Sequence, residues 1–247
     1  MNTHRFENAF RRRKAVFLIA LHVTPHEQQW SRDIDIARGE GADGILVIRD
    51  YTTTATDDDA LAVYHNARKR YPHWHIGLNL LDHQPLAAIL RVKTGVSSFW
   101  FDEPQINEGQ PDGAKYFANV RLTSDVAHVE APPLLMPCVA MKYKIQPKSI
   151  ATVAKLVEPY ADVILTSGDK TGMPADIEKV QKLRQAVQGP IGLCSGVSAE
   201  NVGQFIDEGV TCFVIWSSIA KKDKINGETI ERLDWPKVGE MRDKIPR

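Results

Sequence analysis

The sequence predicts an α/β protein folded as a single (β/α)8 TIM barrel over residues 1–247, with residues 1–14 as a basic lead-in. Three observations carry this. Short apolar runs alternate with helix-like segments eight times, without a linker or a break in composition, and such alternation implies a parallel sheet. The length of 247 residues is close to the roughly 250 that one barrel needs. The last two apolar runs end at Ser195-Gly196 and Ser217-Ser218, the place where barrels commonly hold a phosphate on backbone amides. An open doubly wound sheet competes, but it would carry a glycine-rich turn after its first strand. Here that strand ends Leu21-His22-Val23-Thr24-Pro25, without glycine.

Taken in order, Val16–Leu21 is a continuous apolar run, as in strands covered on both faces. A helix follows over Trp30–Glu40, then a strand at Gly44–Ile48. Asp58–Tyr71 is a helix whose acidic first turn complements its dipole. His75–Leu80 is the third strand, Pro85–Val92 a short helix, and Ser98–Phe101 the fourth strand. Pro104, Gly109, Pro111 and Gly113 make a long loop, with a helix in part of Ala114–Val120. Leu134–Met141 is the fifth strand despite Pro137, and Ser149–Val157 a helix. Asp162–Thr166, Pro190–Cys194 and Cys212–Trp216 are strands six to eight. Helices lie at Ile177–Ala186, Ala199–Asp207 and Pro236–Lys244, and a helix-like pattern is expected after each of the last two strands.

Thirty-one basic and thirty-one acidic residues balance, which gives no electrostatic footprint for nucleic acid or an anionic membrane surface. Arg11-Arg12-Arg13-Lys14 before Ala15–Val23 imitates a signal peptide, but the apolar run is short, contains His22 and lacks a cleavage site. No window is long enough to insert in a membrane. Cys138, Cys194 and Cys212 fall within apolar runs and share no metal spacing. They read as reduced core thiols of a cytoplasmic protein. Trp30, Trp74 and Trp235 look exposed, and suit either the barrel shell or the interface of a homo-oligomer.

The carboxyl ends of the strands, where barrel chemistry sits, carry His22, Arg49 with Asp50, Asn79 with Asp82, Asp102 with Glu103, and Lys142. The later ends carry Thr166-Ser167-Gly168, Ser195-Gly196 and Ser217-Ser218. The plain alternatives are local. His22 would bond a loop carbonyl, Asp50 would cap the turn before Tyr51-Thr52-Thr53-Thr54, and Arg49 would pair with Asp102. The two serine turns would be ordinary strand-to-helix connections. Lys142 facing the mouth would neutralise an anion, act as a general acid, or form a Schiff base; on the rim it would be solvated. Asp102 and Glu103 are adjacent, so their side chains take opposite faces and at most one enters the barrel. His22, Asp50 and Asp102 are types that bind divalent metals, but no ligand pair has a diagnostic spacing, so no metal is assigned. No cofactor signature is present.

Ala161-Asp162-Val163-Ile164-Leu165-Thr166-Ser167-Gly168-Asp169-Lys170-Thr171-Gly172-Met173-Pro174-Ala175-Asp176 resembles the strand-six segment of the BtpA family. Cys194–Val202 and Ser217–Asp223 resemble its strand-seven and strand-eight motifs, with Gly77-Leu78-Asn79-Leu80-Leu81 and Lys142 as weaker matches. The resemblance implies a phosphate-binding type of barrel. Members are named for photosystem I biogenesis or stability, and others carry labels such as phosphoribosylanthranilate isomerase. This chain has Ala140 where the family usually has histidine and Asp102 near its usual asparagine. Its loop after strand six is longer, and the first loop lacks the family's proline-glycine run. The resulting expectation is a phosphorylated small-molecule ligand, phosphoribosyl or nucleotide-like. Ser195, Gly196, Ser217, Ser218, Ser167, Gly168, Asn79, Arg49 and His22 would bind it, and Lys142 and Asp102 would be catalytic. Isomerase, lyase and glycosyl- or phosphoribosyl-transfer chemistry fit that site. The alternative is a non-catalytic assembly or stability factor on the same scaffold.

Overall fold

The computed structural model describes residues 3–92, 94–106, 108, 112–225 and 227–247. Helix α1 (Thr3–Ala9) precedes the repeating units. They are β1 (Val16–Val23), α2 (Glu27–Gly39), β2 (Gly44–Arg49), α3 (Asp57–Arg70), β3 (His75–Asn79), α4 (Pro85–Arg91), β4 (Ser98–Phe101) and α5 (Gly113–Ala127). There follow β5 (Leu134–Pro137), α6 (Ile150–Val157), β6 (Ile164–Thr166), α7 (Ile177–Ala186), β7 (Ile191–Leu193), α8 (Val202–Asp207) and β8 (Cys212–Ile215). A hairpin of β9 (Ala220–Ile225) and β10 (Glu228–Leu233) and then α9 (Trp235–Lys244) complete the chain.

The eight strands pair in the order β5-β4-β3-β2-β1-β8-β7-β6, all in parallel. An isolated bridge, Cys138 to Leu165, and the Asp162 amide donating to Leu135 O at 2.9 Å link the two ends. This is the predicted (β/α)8 barrel, closed most thinly between β5 and β6. The proline explains the thin seam. Successive amides of a strand point to opposite neighbours; Cys138 N donates to Phe101 O of β4 and Val139 N to Leu165 O of β6, each at 2.8 Å. Pro137 shares the β6 side with Val139 and has no N–H to offer there. The Leu135 amide is taken instead by the Asp162 carboxylate at 2.8 Å.

The fifth strand therefore stops at Pro137 and does not run to Met141. Ala140 and Tyr143 adopt left-handed backbone, at φ 54° and 62°, which no strand accommodates. After β8 the expected helix is replaced by the β9–β10 hairpin. Glu228–Leu233 pairs antiparallel with Ala220–Ile225, and buried Ile230 and Leu233 anchor it, although three residues apart they give no alternating pattern. After β7, α8 begins at Val202 and not at Ala199, because Ser198 to Asn201 form a turn. In it Asn201 Oδ1 accepts the Ser198 amide at 2.8 Å, and its Nδ2 donates to Gly196 O at 2.9 Å. Of the loop glycine and proline markers, Gly109 and Pro111 lie outside the described residues. Trp30 and Trp74 are buried in the shell, and Trp235 alone of the three is exposed. Among the described residues no helix is long and apolar enough to cross a membrane.

The hairpin is fastened to α2. Gln29 Nε2 donates to Glu231 O, and the Leu233 amide donates to Asp33 Oδ1 at 3.1 Å. Asp33 is fully buried, and loss of water raises its carboxyl to about 6. A carboxyl whose native pKa is raised stabilises the fold below its unfolded value and loses that contribution as pH climbs through the native value. The window is about pH 4 to 6. Asp33→Asn is expected to raise neutral-pH stability by roughly 2–3 kcal/mol and to flatten the thermal midpoint between pH 4 and 6. An unchanged pH slope would exclude Asp33 as its source.

Candidate functional site

A cavity of about 420 Å³ opens at the carboxyl ends of the strands, the size of a small-ligand pocket. Strand parity decides which side chains reach it. Ala20 and His22 of β1, Trp100 and Asp102 at β4, and Val214 and Trp216 at β8 line it in i, i+2 pairs. Ile48 of β2 lies in register with His22 and also lines it. The next residue, Arg49, must then face the helices. It pairs with Asp82 at 2.7 Å and lies 3.7 Å from Asp57. Asp57 in turn accepts the amides of Leu81 and Asp82.

The remaining predicted residues divide between the wall and the structure behind it. Lys142, Ser195, Gly196, Ser217 and Ser218 line the cavity; Ser167, Gly168, Arg49 and Asn79 do not. Buried Asn79 donates to Asp102 Oδ1 at 3.0 Å. Ser167 Oγ accepts the Lys142 amide at 2.8 Å and donates to Gly168 O at 2.8 Å, so it braces the lysine's backbone. Asp50 accepts the amide and hydroxyl of Thr52, as a turn cap does, and Arg49 does not pair with Asp102. Asp102 lines the cavity while Glu103 turns away to Lys144 at 3.4 Å. Among the described residues no three His, Cys, Asp or Glu side chains are grouped to hold a metal ion.

The β7 and β8 turns meet at this cavity. Ser218 Oγ donates to Val197 O at 2.6 Å and ties them together. Ser195 Oγ is directed at the carbonyls of Lys170 and Met173, at 3.1 and 3.2 Å, so its hydroxyl holds the β6 loop. Among the described residues the amides of Gly196, Ser217 and Ser218 have no protein acceptor. Gly196 has φ 65°, and a Cβ there would lie 2.0 Å from Met173 C. Only glycine permits both that backbone and that approach.

Electrostatics differ between the two walls. His22 stacks on Trp216, with centroids 4.9 Å apart and rings 5° from parallel. Burial lowers its imidazole to about 4, against the pull of Asp50 and with the help of Lys142. Burial pushes the Asp102 carboxyl upward, opposed by the Asn79 hydrogen bond and the Lys142 charge. Lys142 Nζ reaches Cys194 O at 3.5 Å, a long contact that leaves donor capacity toward the cavity. Burial thus disfavours charge on both His22 and Asp102, while Lys142 and Lys144 also line the cavity.

Several lining residues were not singled out from sequence. Trp100 and Trp216 read as strand interior, although counting back or forward by two from Asp102 and from Val214 finds both. Tyr51, Tyr143 and Thr171 come from loops. Tyr143 is exposed, and its hydroxyl accepts the Thr171 amide at 3.1 Å.

No family model matches the chain, and no curated protein matches it in sequence. Solved structures do match. Thiamine phosphate pyrophosphorylase from Pyrococcus furiosus has a TM-score of 0.59 at 14% identity, covering 95% of this chain and 97% of that one. A protein of Aquifex aeolicus has a TM-score of 0.63 at 14% identity, covering 99% and 98%. A structure described as native KDPGal has a TM-score of 0.59 at 15% identity, covering 92% of each chain. At such identities the likeness is one of fold, and it extends over the whole barrel.

Two measurements test this geometry. The His22 imidazole is expected to titrate near pH 4 by NMR, and native stability to fall as pH drops from 6.5 toward that value; Lys142→Met should move the midpoint upward. A midpoint near 6.5 would contradict the buried, neutral ring. Gly196→Ala should cost about 1–3 kcal/mol in chemical denaturation, and a neutral effect would mean that Met173 does not pack there.

Proposed function

We propose that the barrel binds a phosphorylated small molecule at the mouth of the cavity and acts on it as an enzyme. The observation that carries this is the pair of joined turns, whose Gly196, Ser217 and Ser218 line one cavity with their amides lacking an acceptor among the described residues. Backbone N–H groups without partners are costly to desolvate and well suited to an anion. Lys142 adds a full positive charge beside them, which strengthens hydrogen bonding to phosphate oxygens. The BtpA-like motifs and the barrel shared with thiamine phosphate pyrophosphorylase support the same ligand class.

The chemistry is assigned to Lys142 and Asp102. Asp102, its carboxyl pushed upward by burial, is better suited than a solvated carboxylate to take a proton from a bound ligand and return it. Lys142 stabilises negative charge as it develops. This pairing suits isomerase or lyase chemistry, in which a proton moves beside an anchored phosphate. Asn79 fixes the Asp102 carboxyl and acts as a positioning residue.

Thermal shift against inorganic phosphate and simple phosphate esters is the direct test. A ligand at a hundredfold its Kd stabilises the native state by about 2.7 kcal/mol. Lys142→Ala is expected to fold normally, to lose at least about tenfold in phosphate-ester affinity, equivalent to 1.4 kcal/mol, and to lose turnover of any substrate found. No stabilisation by any phosphate ester would overturn the reading.

A further inference from the structure

The anion end of the cavity accounts for a small part of its wall. Behind it, the depth is bounded by Ile48, Trp100, Met141, Val214 and Trp216, all of them buried. The two indoles come from strands on different sides of the barrel, and the indole N–H groups are already committed. Trp100 Nε1 donates to Cys138 Sγ at 3.1 Å and Trp216 Nε1 to Glu231 Oε2 at 2.9 Å. What these side chains present to the cavity is therefore ring and aliphatic surface. At the rim, Tyr51 and Tyr143 line the same cavity while remaining 55% and 67% exposed. Large exposed rings at a pocket edge are available to cover a bound group.

Such a wall discriminates between the groups that can be attached to a phosphate. A furanose or open-chain sugar brings several hydroxyls, and each hydroxyl buried without a partner costs about 1–3 kcal/mol. Most polar side chains on this wall are already engaged: Asp102 with Asn79, Lys144 with Glu103, Tyr143 with Thr171, and Ser195 and Ser218 with backbone carbonyls, while His22 stacks on Trp216. The capacity left over suits one or two heteroatoms on the edge of a flat ring whose faces meet apolar side chains better than the several hydroxyls of a polyol.

Resting on the proposed anion site, the geometry points to a phosphate monoester of a planar aromatic or heteroaromatic ring as the ligand class, the ring in the depth and the phosphate at the β7 and β8 turns. The probes that test it are benzyl phosphate, ribose 5-phosphate and inorganic phosphate, titrated into the wild-type protein by calorimetry and by quenching of tryptophan fluorescence. Benzyl phosphate is expected to bind at least tenfold more tightly than either of the others and to quench emission. Trp100→Leu should weaken benzyl phosphate at least fivefold and leave inorganic phosphate unchanged. Should that variant not fold, the wild-type ranking decides alone. Ribose 5-phosphate binding as tightly as benzyl phosphate would overturn the ring assignment and leave the anion site standing. Failure of all three to bind would overturn the anion site itself.

Discussion

The mouth of this barrel depends on one half-buried ammonium. Lys179, on α7, donates to Ala140 O at 2.7 Å and to Ser167 O at 2.6 Å, joining the loops that follow β5 and β6. Those strands share the thinnest seam of the barrel, where Pro137 withholds a donor and one bridge is supplemented by amide hydrogen bonds to Leu135 O. Hydrogen bonds from a charged donor contribute about 1.5–3 kcal/mol each, more than the neutral ladder bond they replace. Burial lowers the Lys179 pKa, while Asp169 and Asp176 among its neighbours pull it back. The left-handed Ala140 carries one of the two clamped carbonyls. Its strain, of order 1 kcal/mol, is outweighed by the clamp that it makes possible.

From that clamp the site follows step by step. Holding Ser167 in place positions its hydroxyl for the Lys142 amide, and so aims Lys142 along the cavity edge. The same β6 loop continues to Met173, which closes over Gly196 and takes the Ser195 hydroxyl. Two lysines of identical chemistry are thereby separated by their partners. Lys179 spends its donors on carbonyls, and Lys142 retains most of its own. The serines divide in the same manner. Ser167, Ser195 and Ser218 use their hydroxyls on the protein, which leaves main-chain amides as the groups offered to a ligand.

Much of this was legible in the residues. Alternating apolar runs gave seven strands to within two residues at either end, because a strand covered on both faces must be continuously apolar. The fifth was overrun, since nothing in Val139-Ala140-Met141 announces a left-handed turn at an alanine. The hairpin went unread because charged Lys221-Lys222-Asp223-Lys224 shows no apolar period on an exposed edge strand. Site residues on strands were recoverable by parity; Arg49 failed to reach the cavity because it is one residue out of phase with Ile48. Hydroxyl groups were harder. Whether a serine faces ligand or loop depends on carbonyls some twenty residues away, as with Ser195 and Lys170.

The replacement of a helix by the hairpin after β8 alters how an anion can be held. A helix N-terminus adds an aligned dipole to its free amides, whereas the turn at Ser217 and Ser218 supplies amides alone. The helix after β7 offers little more, since α8 has six residues and starts beyond the Ser198–Asn201 turn. Charge for a bound dianion would then come chiefly from Lys142, whose Nζ lies beside the β7 turn at Cys194 O. Binding energy for the rest of a ligand has to come from apolar contact. Removing about 100 Å² of apolar ligand surface from water contributes roughly 2.5 kcal/mol, more than the roughly 0.3–1 kcal/mol a helix terminus typically adds. The hairpin also supplies the Glu231 carboxylate that fixes the Trp216 indole. One exchange of secondary structure therefore removes a dipole from the proposed anion site and fixes an indole that lines the same cavity.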